Sequence, residues 1–444
     1  GYVGAYALVD LLEYAGPVQS VLRGVFGWSS ARDYWFPEIR SFGAAVFVLS
    51  LSLYPYVYLL TRAAFRDQTS SVEEVARSLG ALSSQRFFKI NLPLARPAIA
   101  AGVAIVMMET VNDYGTVDYF AVQTLTTGIF SVWLQSSNVG GAAQLACVVL
   151  TMVILLVSLE KLSRRKMQFF NMSSKQKAVQ KIRLRGLSNI LAFLSCLAPV
   201  LLGFALPLII LLEHSMSNPQ LFMDKGLIDA TFNTVFIGTI AAIFTVILSI
   251  FMVFGMKSIK GKVPKVTMPV TTIGYAVPGA VLGVGILIPL ATLDNALADA
   301  IYYLTQIDVG LIFTGTSFAI ILAYIVRFFA IGQGATEAAL GRISPNLEHA
   351  ARSLGKNRAS ILKRIYLPII KGSLGSAMLL IFVDCVKELP ATLLLRPFNF
   401  NTLSTRVHEQ ASLEDLVNAA PAAIYISLVG LCAVVLLARA NRLK

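Results

Sequence analysis

A chain of 444 residues that is 56% hydrophobic and 14% charged, with a mean hydropathy of +0.71, has too much apolar surface for a water-soluble core to hide. The net charge of +13 gathers in short loops and suits anionic lipid, so it gives no argument for nucleic-acid binding. Cys147, Cys196, Cys385 and Cys432 lie in apolar segments without a CxxC pair, which suits packing inside the membrane. His214, His349 and His408 are spaced too widely for a preformed metal cluster.

A helix needs about 20 apolar residues to cross roughly 30 Å of hydrocarbon. After a truncated segment at 1–15, runs of that kind are read at about 41–61, 97–117, 142–160, 188–212, 232–254, 267–292, 308–327, 372–394 and 421–438. That is four segments in the first half and six in the second. The chain opens without Met inside an apolar run. A second repeat starting near Ser188 sets the start of its partner about 87 residues before Gly1, and two further spans there would give six plus six.

Lys and Arg mark the loops that stay in the cytoplasm. Segments 61–96, 161–185, 257–265 and 327–371 hold 6, 9, 4 and 8 of them, whereas 118–141 and 293–307 hold none and 213–231 holds only Lys225. The predicted organisation is therefore a first repeat at 1–160 with a cytoplasmic loop at 66–96. A basic linker follows at 161–187, then a second repeat at 188–444 with a cytoplasmic loop at 335–371.

The two cytoplasmic loops are copies of one another. Nine of 21 positions agree between 73–93 and 348–368 at a constant offset of 275, and the same offset pairs Gly4-Ala5 with Gly279-Ala280. Each copy predicts an acid-led helix, Glu73-Glu74-Val75-Ala76-Arg77 or Glu348-His349-Ala350-Ala351-Arg352. It ends at a glycine, Gly80 or Gly355, suited to the left-handed conformation. A second amphipathic stretch, carrying Phe87, Phe88 and Ile90 or Ile361, Leu362 and Ile365, stops at Leu92-Pro93 or Leu367-Pro368. A plain amphipathic hairpin on the membrane surface has the same pattern, but recurrence at one offset argues for a shared task.

These residues resemble the signature of permease subunits of ATP-binding cassette importers, a cytoplasmic E-A-A loop with a glycine and a following L-P. The matching positions are Glu74, Ala76, Gly80, Leu92 and Pro93, then Ala350, Ala351, Gly355, Leu367 and Pro368; His349 stands where the leading Glu is expected, behind Glu348. Segments 109–133 and 387–409 sharpen the likeness to fused two-repeat ferric-iron permeases, an architecture that thiamine permeases share. The resemblance implies an all-α integral membrane protein of two homologous six-helix transmembrane repeats, like type I importers, in a bacterial inner membrane. It implies two copies of an ATPase subunit docked on the loops, a periplasmic binding protein, and ATP and Mg on partner subunits, with no catalytic residue, cofactor or stably bound metal in this chain. The chain has no GxxxxGK[ST] phosphate loop, in keeping with a separate motor.

Four acids stand inside the apolar segments. Counted from Pro97, Glu109 lies about 18 Å and Asp113 about 24 Å along its helix. Asp384 and Glu388 occupy the same two positions in the second repeat, and each pair is spaced i, i+4. An intramembrane carboxylate costs several kcal/mol unless it faces water, a partner or a cation. One reading makes the four an acidic stretch that passes ferric ion on hard oxygen ligands. The other puts Asp113 and Glu388 at the outer interface, with Lys387 or a backbone amide neutralising a neighbour. Gly274 to Ala280, containing Pro278, predicts a bend or close helix packing. Polar segments 123–127 and 399–405 are candidates for receiving the binding protein. A secondary carrier is the rival function, since duplicated halves occur there too, while an intramembrane enzyme lacks a nucleophile and base cluster.

Overall fold

A computed structural model describes residues 1–68, 70–165, 184–257, 259 and 261–442, and every regular element among them is helical. In chain order these are α1 (Tyr2–Leu12), α2 (Pro17–Phe26), α3 (Phe42–Asp67), α4 (Ser70–Ser78), α5 (Ser83–Arg86), α6 (Leu92–Asn112), α7 (Gly115–Tyr119), α8 (Leu125–Phe130), α9 (Val139–Arg165), α10 (Leu187–Val200) and α11 (Leu206–Ser217). They continue with α12 (Lys225–Lys257), α13 (Lys262–Thr271), α14 (Ile273–Ala276), α15 (Gly279–Thr305), α16 (Ser317–Gly341), α17 (Pro345–Ser353), α18 (Arg358–Ile361), α19 (Leu367–Val386), α20 (Pro390–Leu395), α21 (Leu403–Ser412) and α22 (Leu416–Arg442). Most of the basic linker, residues 166–183, lies outside the described residues.

Nine helical stretches among the described residues are long and apolar enough to cross a membrane, one for each full-length span read from the sequence. Four are displaced: Ser83–Asn112 and Arg358–Val386 start before the runs read at 97–117 and 372–394 because the short helix and π turn ahead of Leu-Pro continue into the span, and two others start later for identifiable reasons. The apolar run at 267–292 is interrupted where Val277 turns extended before Pro278, as a residue preceding proline prefers, so the span restarts at Gly279. It then continues through Asp294, where the sequence suggested a loop. The buried Asp294 carboxylate accepts backbone N–H groups of Ile312 (2.9 Å), Phe313 (2.9 Å) and Thr314 (2.6 Å), so the helix reaches Thr305 without leaving the acid unsatisfied. The next span begins at Ser317, where the Thr316 hydroxyl accepts from Phe318 N–H, and runs to Gly341. Arg327, counted above with the cytoplasmic cations, is therefore a residue of the middle of a span.

The 275-residue offset persists in the backbone. Helices α4 and α17, α5 and α18, and the π turns Phe87–Asn91 and Leu362–Tyr366 coincide at both ends when shifted by it, and the helix caps Ser41 and Thr316 correspond as well. Both π turns run into a Leu-Pro pair, as does a third at Leu201–Ala205 ahead of Leu206-Pro207. The proline ring crowds the carbonyl four residues back and supplies no N–H, and a wider turn relieves both.

The chain forms two compact units, residues 1–124 with 150–210, and residues 125–149 with 211–444. In the first, Ala5, Leu8 and Val9 of α1 pack with Ala45 and Val48 of α3, Phe120 and Leu206, and α6 lies along α3. In the second, α12, α16 and α19 pack against one another, α22 covers α19 and α21, and α15 rests on α16 and α20. Of the four cysteines only Cys385 is buried; Cys147, Cys196 and Cys432 are exposed on α9, α10 and α22.

Candidate functional site

The duplicated loop builds the same helix, turn and helix twice. Gly80 and Gly355 stand at φ +79° and +72°. Around each, two backbone bonds close the helix: Gly80 N–H to Arg77 O (3.1 Å) with Ala81 N–H to Ala76 O (3.0 Å), and Gly355 N–H to Arg352 O (2.9 Å) with Lys356 N–H to Ala351 O (3.1 Å). This is the Schellman arrangement, which satisfies carbonyls at the helix end and demands a residue without Cβ strain. Ala76 and Ala351 turn inward and are buried, while Glu74, Arg77, His349 and Arg352 face out. Exposed Val75, Leu79, Leu82, Phe87 and Phe88 in the first copy, and Leu347 and Leu354 in the second, leave an apolar surface beside the charges. Leu92, Pro93 and Leu367 are half-buried and Pro368 is exposed. The Glu73 side chain lies outside the described residues.

The second copy is tied down by a charged cluster. Ser344 caps α17, and the Glu348 carboxylate in its first turn accepts a hydrogen bond from the buried Tyr366 hydroxyl at 2.6 Å. Arg352 pairs with the same carboxylate one turn on, and Lys257 Nζ at the end of α12 lies 3.8 Å from it. Tyr366 holds the Glu348 carboxyl below the usual glutamate range, helped by Arg352 and Lys257, so it is ionised at neutral pH.

The four acids have different surroundings, and because the two spans end at Asn112 and Val386, Asp113 and Glu388 stand just beyond them. Asp113 caps α7, accepting from Thr116 N–H (2.9 Å), Thr116 Oγ1 (3.0 Å) and Val117 N–H (3.3 Å). Glu388, its counterpart, caps α20 by accepting from Ala391 N–H (3.2 Å), and Thr116 and Ala391 are themselves 275 residues apart. Glu388 also lies 3.3 Å from Nη1 of Arg327, both side chains being 7% exposed or less. Asp384 pairs with Lys387 at 2.8 Å. Glu109 is half-buried and makes no hydrogen bond or ion pair among the described residues. The neutralising partners weighed from the sequence, Lys387 and a backbone amide, are thus both present.

Arg327 is the functional-site candidate that the sequence reading missed. Its signal was available: one cation amid Ala-Tyr-Ile-Val and Phe-Phe-Ala-Ile reads as a paired intramembrane charge, not as a loop residue. The bend at 274–280 serves this pair. Gly279 opens α15 against it, and a Cβ there would stand 2.4 Å from Glu388 Oε1 and 2.5 Å from Arg327 Nη1.

Nine candidate spans among the described residues and a loop built twice on one backbone fit a multi-pass transport permease. The chain belongs to the family described as binding-protein-dependent transport system inner membrane component, whose model matches residues 20–169 and 252–443. It is a multi-pass protein of the inner membrane. It is 26% identical over 397 residues to the Fe(3+)-transport system permease protein FbpB 2 of Haemophilus influenzae, covering 88% of this chain and 75% of that protein. It is 25% identical over 432 residues to the putative ferric transport system permease protein FbpB 1 of the same organism, covering 92% of this chain and 63% of that protein. The ferric transport system permease protein FbpB of Actinobacillus pleuropneumoniae is 24% identical over 89% of this chain and 57% of its own length. The chain thus spans between three-quarters and just over half of these relatives.

Proposed function

We propose that this chain is the permease of an ATP-driven importer of ferric iron, receiving its cargo from a periplasmic binding protein and driven by two separate ATPase subunits seated on α4 and α17. The observation that carries the reading is the pair of docking motifs, identical in backbone and turn chemistry at one offset and set in a chain that aligns over about nine-tenths of its length with permeases named for ferric transport. Closure of the motor dimer would draw the docked helices together and rock the repeats between inward-open and outward-open states. The permease itself performs no covalent step.

Within each repeat the acid pair, Glu109 with Asp113 or Asp384 with Glu388, is proposed to supply carboxylate oxygens to the cation's path. Glu109 is the carboxylate with no committed partner among the described residues, which makes it the foremost ligand. The Asp384 carboxylate exchanges Lys387 for cargo under this reading.

The test is ATP hydrolysis and uptake in vesicles holding the permease with its ATPase, offered binding protein loaded with ferric ion, empty, or with thiamine. Stimulation by the ferric form alone supports the proposal. Stimulation by thiamine keeps the importer and replaces the cargo, and failure to assemble with an ATPase returns the chain to the secondary carriers. Glu109→Gln combined with Asp384→Asn should abolish uptake with assembly intact; normal uptake by that variant would remove the acids from the path.

A further inference from the structure

The two docking helices share a backbone, and the second carries a side-chain attachment to neighbouring helices. In the second copy Glu348 stands at a junction of three helical segments. It bonds Tyr366 in the π turn ahead of α19, approaches Lys257 at the end of α12, and pairs with Arg352 within α17. Tyr366 is fully buried, its ring edge-on to Phe254 of α12 at 5.8 Å between centroids and beneath Lys257 Nζ at 5.0 Å. Lys257 also reaches the Tyr366 hydroxyl at 3.4 Å. The position corresponding to Tyr366 in the first copy is Asn91, which has no phenol to offer and whose main-chain oxygen accepts from Gln68 instead (2.9 Å).

Resting on the importer reading, we propose that Glu348 is a positioning residue that carries the displacement of the second docking helix into α12 and α19, and that it does not bind the motor. Its carboxylate oxygens are turned toward Tyr366, Arg352 and Lys257, and its side chain is 21% exposed, whereas His349 beside it faces out. The bond from the buried Tyr366 hydroxyl to a charged carboxylate is stronger than a neutral one, and half-exposed Arg352 and Lys257 add weaker attraction, so α17 is held to α12 and the start of α19. The second docking helix is thereby coupled through side chains to both spans.

The experiment uses the full permease with its ATPase and binding protein in vesicles, measuring uptake and phosphate release together and the amount of ATPase recovered with the permease. Tyr366→Phe keeps the ring packing and deletes only the hydroxyl; Glu348→Gln keeps the shape and deletes the charge. Each should lower uptake per ATP hydrolysed by about tenfold while ATPase recovery stays within about twofold of the parent. Lys257→Met, removing a longer and more exposed contact, should lower it by about twofold. Uptake per ATP unchanged in both Tyr366→Phe and Glu348→Gln overturns the proposal. So does loss of ATPase recovery in Glu348→Gln, which would make Glu348 a motor contact. If the parent permease binds no ATPase, the importer reading fails and this inference with it.

Discussion

Breaking the Arg327–Glu388 pair should cost far more than deleting both of its charges. At 3.3 Å and an effective dielectric constant near 20, the gross attraction is about 5 kcal/mol, set against the cost of withdrawing both ions from water. Glu388→Gln retains an oxygen for Ala391 N–H but removes the countercharge, leaving a buried guanidinium whose Nε and Nη1 already make no hydrogen bond. Such a loss costs about 3–5 kcal/mol. Adding Arg327→Met removes the orphaned cation and fills similar volume with an unbranched apolar chain, so most of the loss should return. A coupling energy of at least about 2 kcal/mol is expected. Unfolding of the purified permease in mixed micelles with increasing dodecyl sulfate, followed by circular dichroism, measures the cycle. The buried thiol of Cys385 should label faster in Glu388→Gln than in the parent. A double variant whose loss equals the sum of the singles, within about 0.5 kcal/mol, would refute the reasoning, because the pair would then contribute nothing as a pair.

Gly80→Ala and Gly355→Ala should each cost about 1–2 kcal/mol, because Cβ is strained at φ +79° and +72° whatever the surrounding space, and both should reduce ATPase recovery with the permease. His408 in α21 has its pKa pushed down to about 4 by burial, below the ordinary 6.5, so the folded protein binds fewer protons than the unfolded one between those values. Stability should therefore fall as pH drops from 6.5 to 4, by up to about 1.4 kcal/mol per unit from this group, and a melting series should show a shallower slope in His408→Gln.

Most of the fold was legible because a membrane span is an almost one-dimensional signal, and the helix-turn-helix loops because they occur twice. Gly80 and Gly355 announced their left-handed turns by residue type alone. What the sequence concealed were charges satisfied over long separations. Asp294 looked like the end of a span because its three donors lie 18 to 20 residues on, and Arg327 looked cytoplasmic because Glu388 is 61 residues away. Hydropathy counts each charge as though it stood alone, so it shifts the edge of a span to the nearest one. The anchoring of Glu348 was hidden likewise, since nothing about Tyr366 in a list of residues shows that its hydroxyl faces back toward α17.

The comparison of the two repeats separates what the scaffold requires from what each half adds. Asp113 and Glu388 occupy one register position and both accept the N–H three residues on, at the start of a short helix after a span. That shared bond is a backbone requirement: the short helix begins where α6 or α19 ends, and its first amides need an acceptor. Only the second repeat adds a buried cation, because the residue corresponding to Arg327 is Ser52. The longer Glu side chain there meets Arg327 with the same oxygen that accepts from Ala391, and Gly279 clears the space in which they meet. The same logic holds at the cytoplasmic end, where the glycine turns and π turns recur while Asn91 stands at the first-copy position of Tyr366, the residue that bonds Glu348 in the second. At both levels the second repeat adds a side-chain charge pair to a backbone turn that the two copies share.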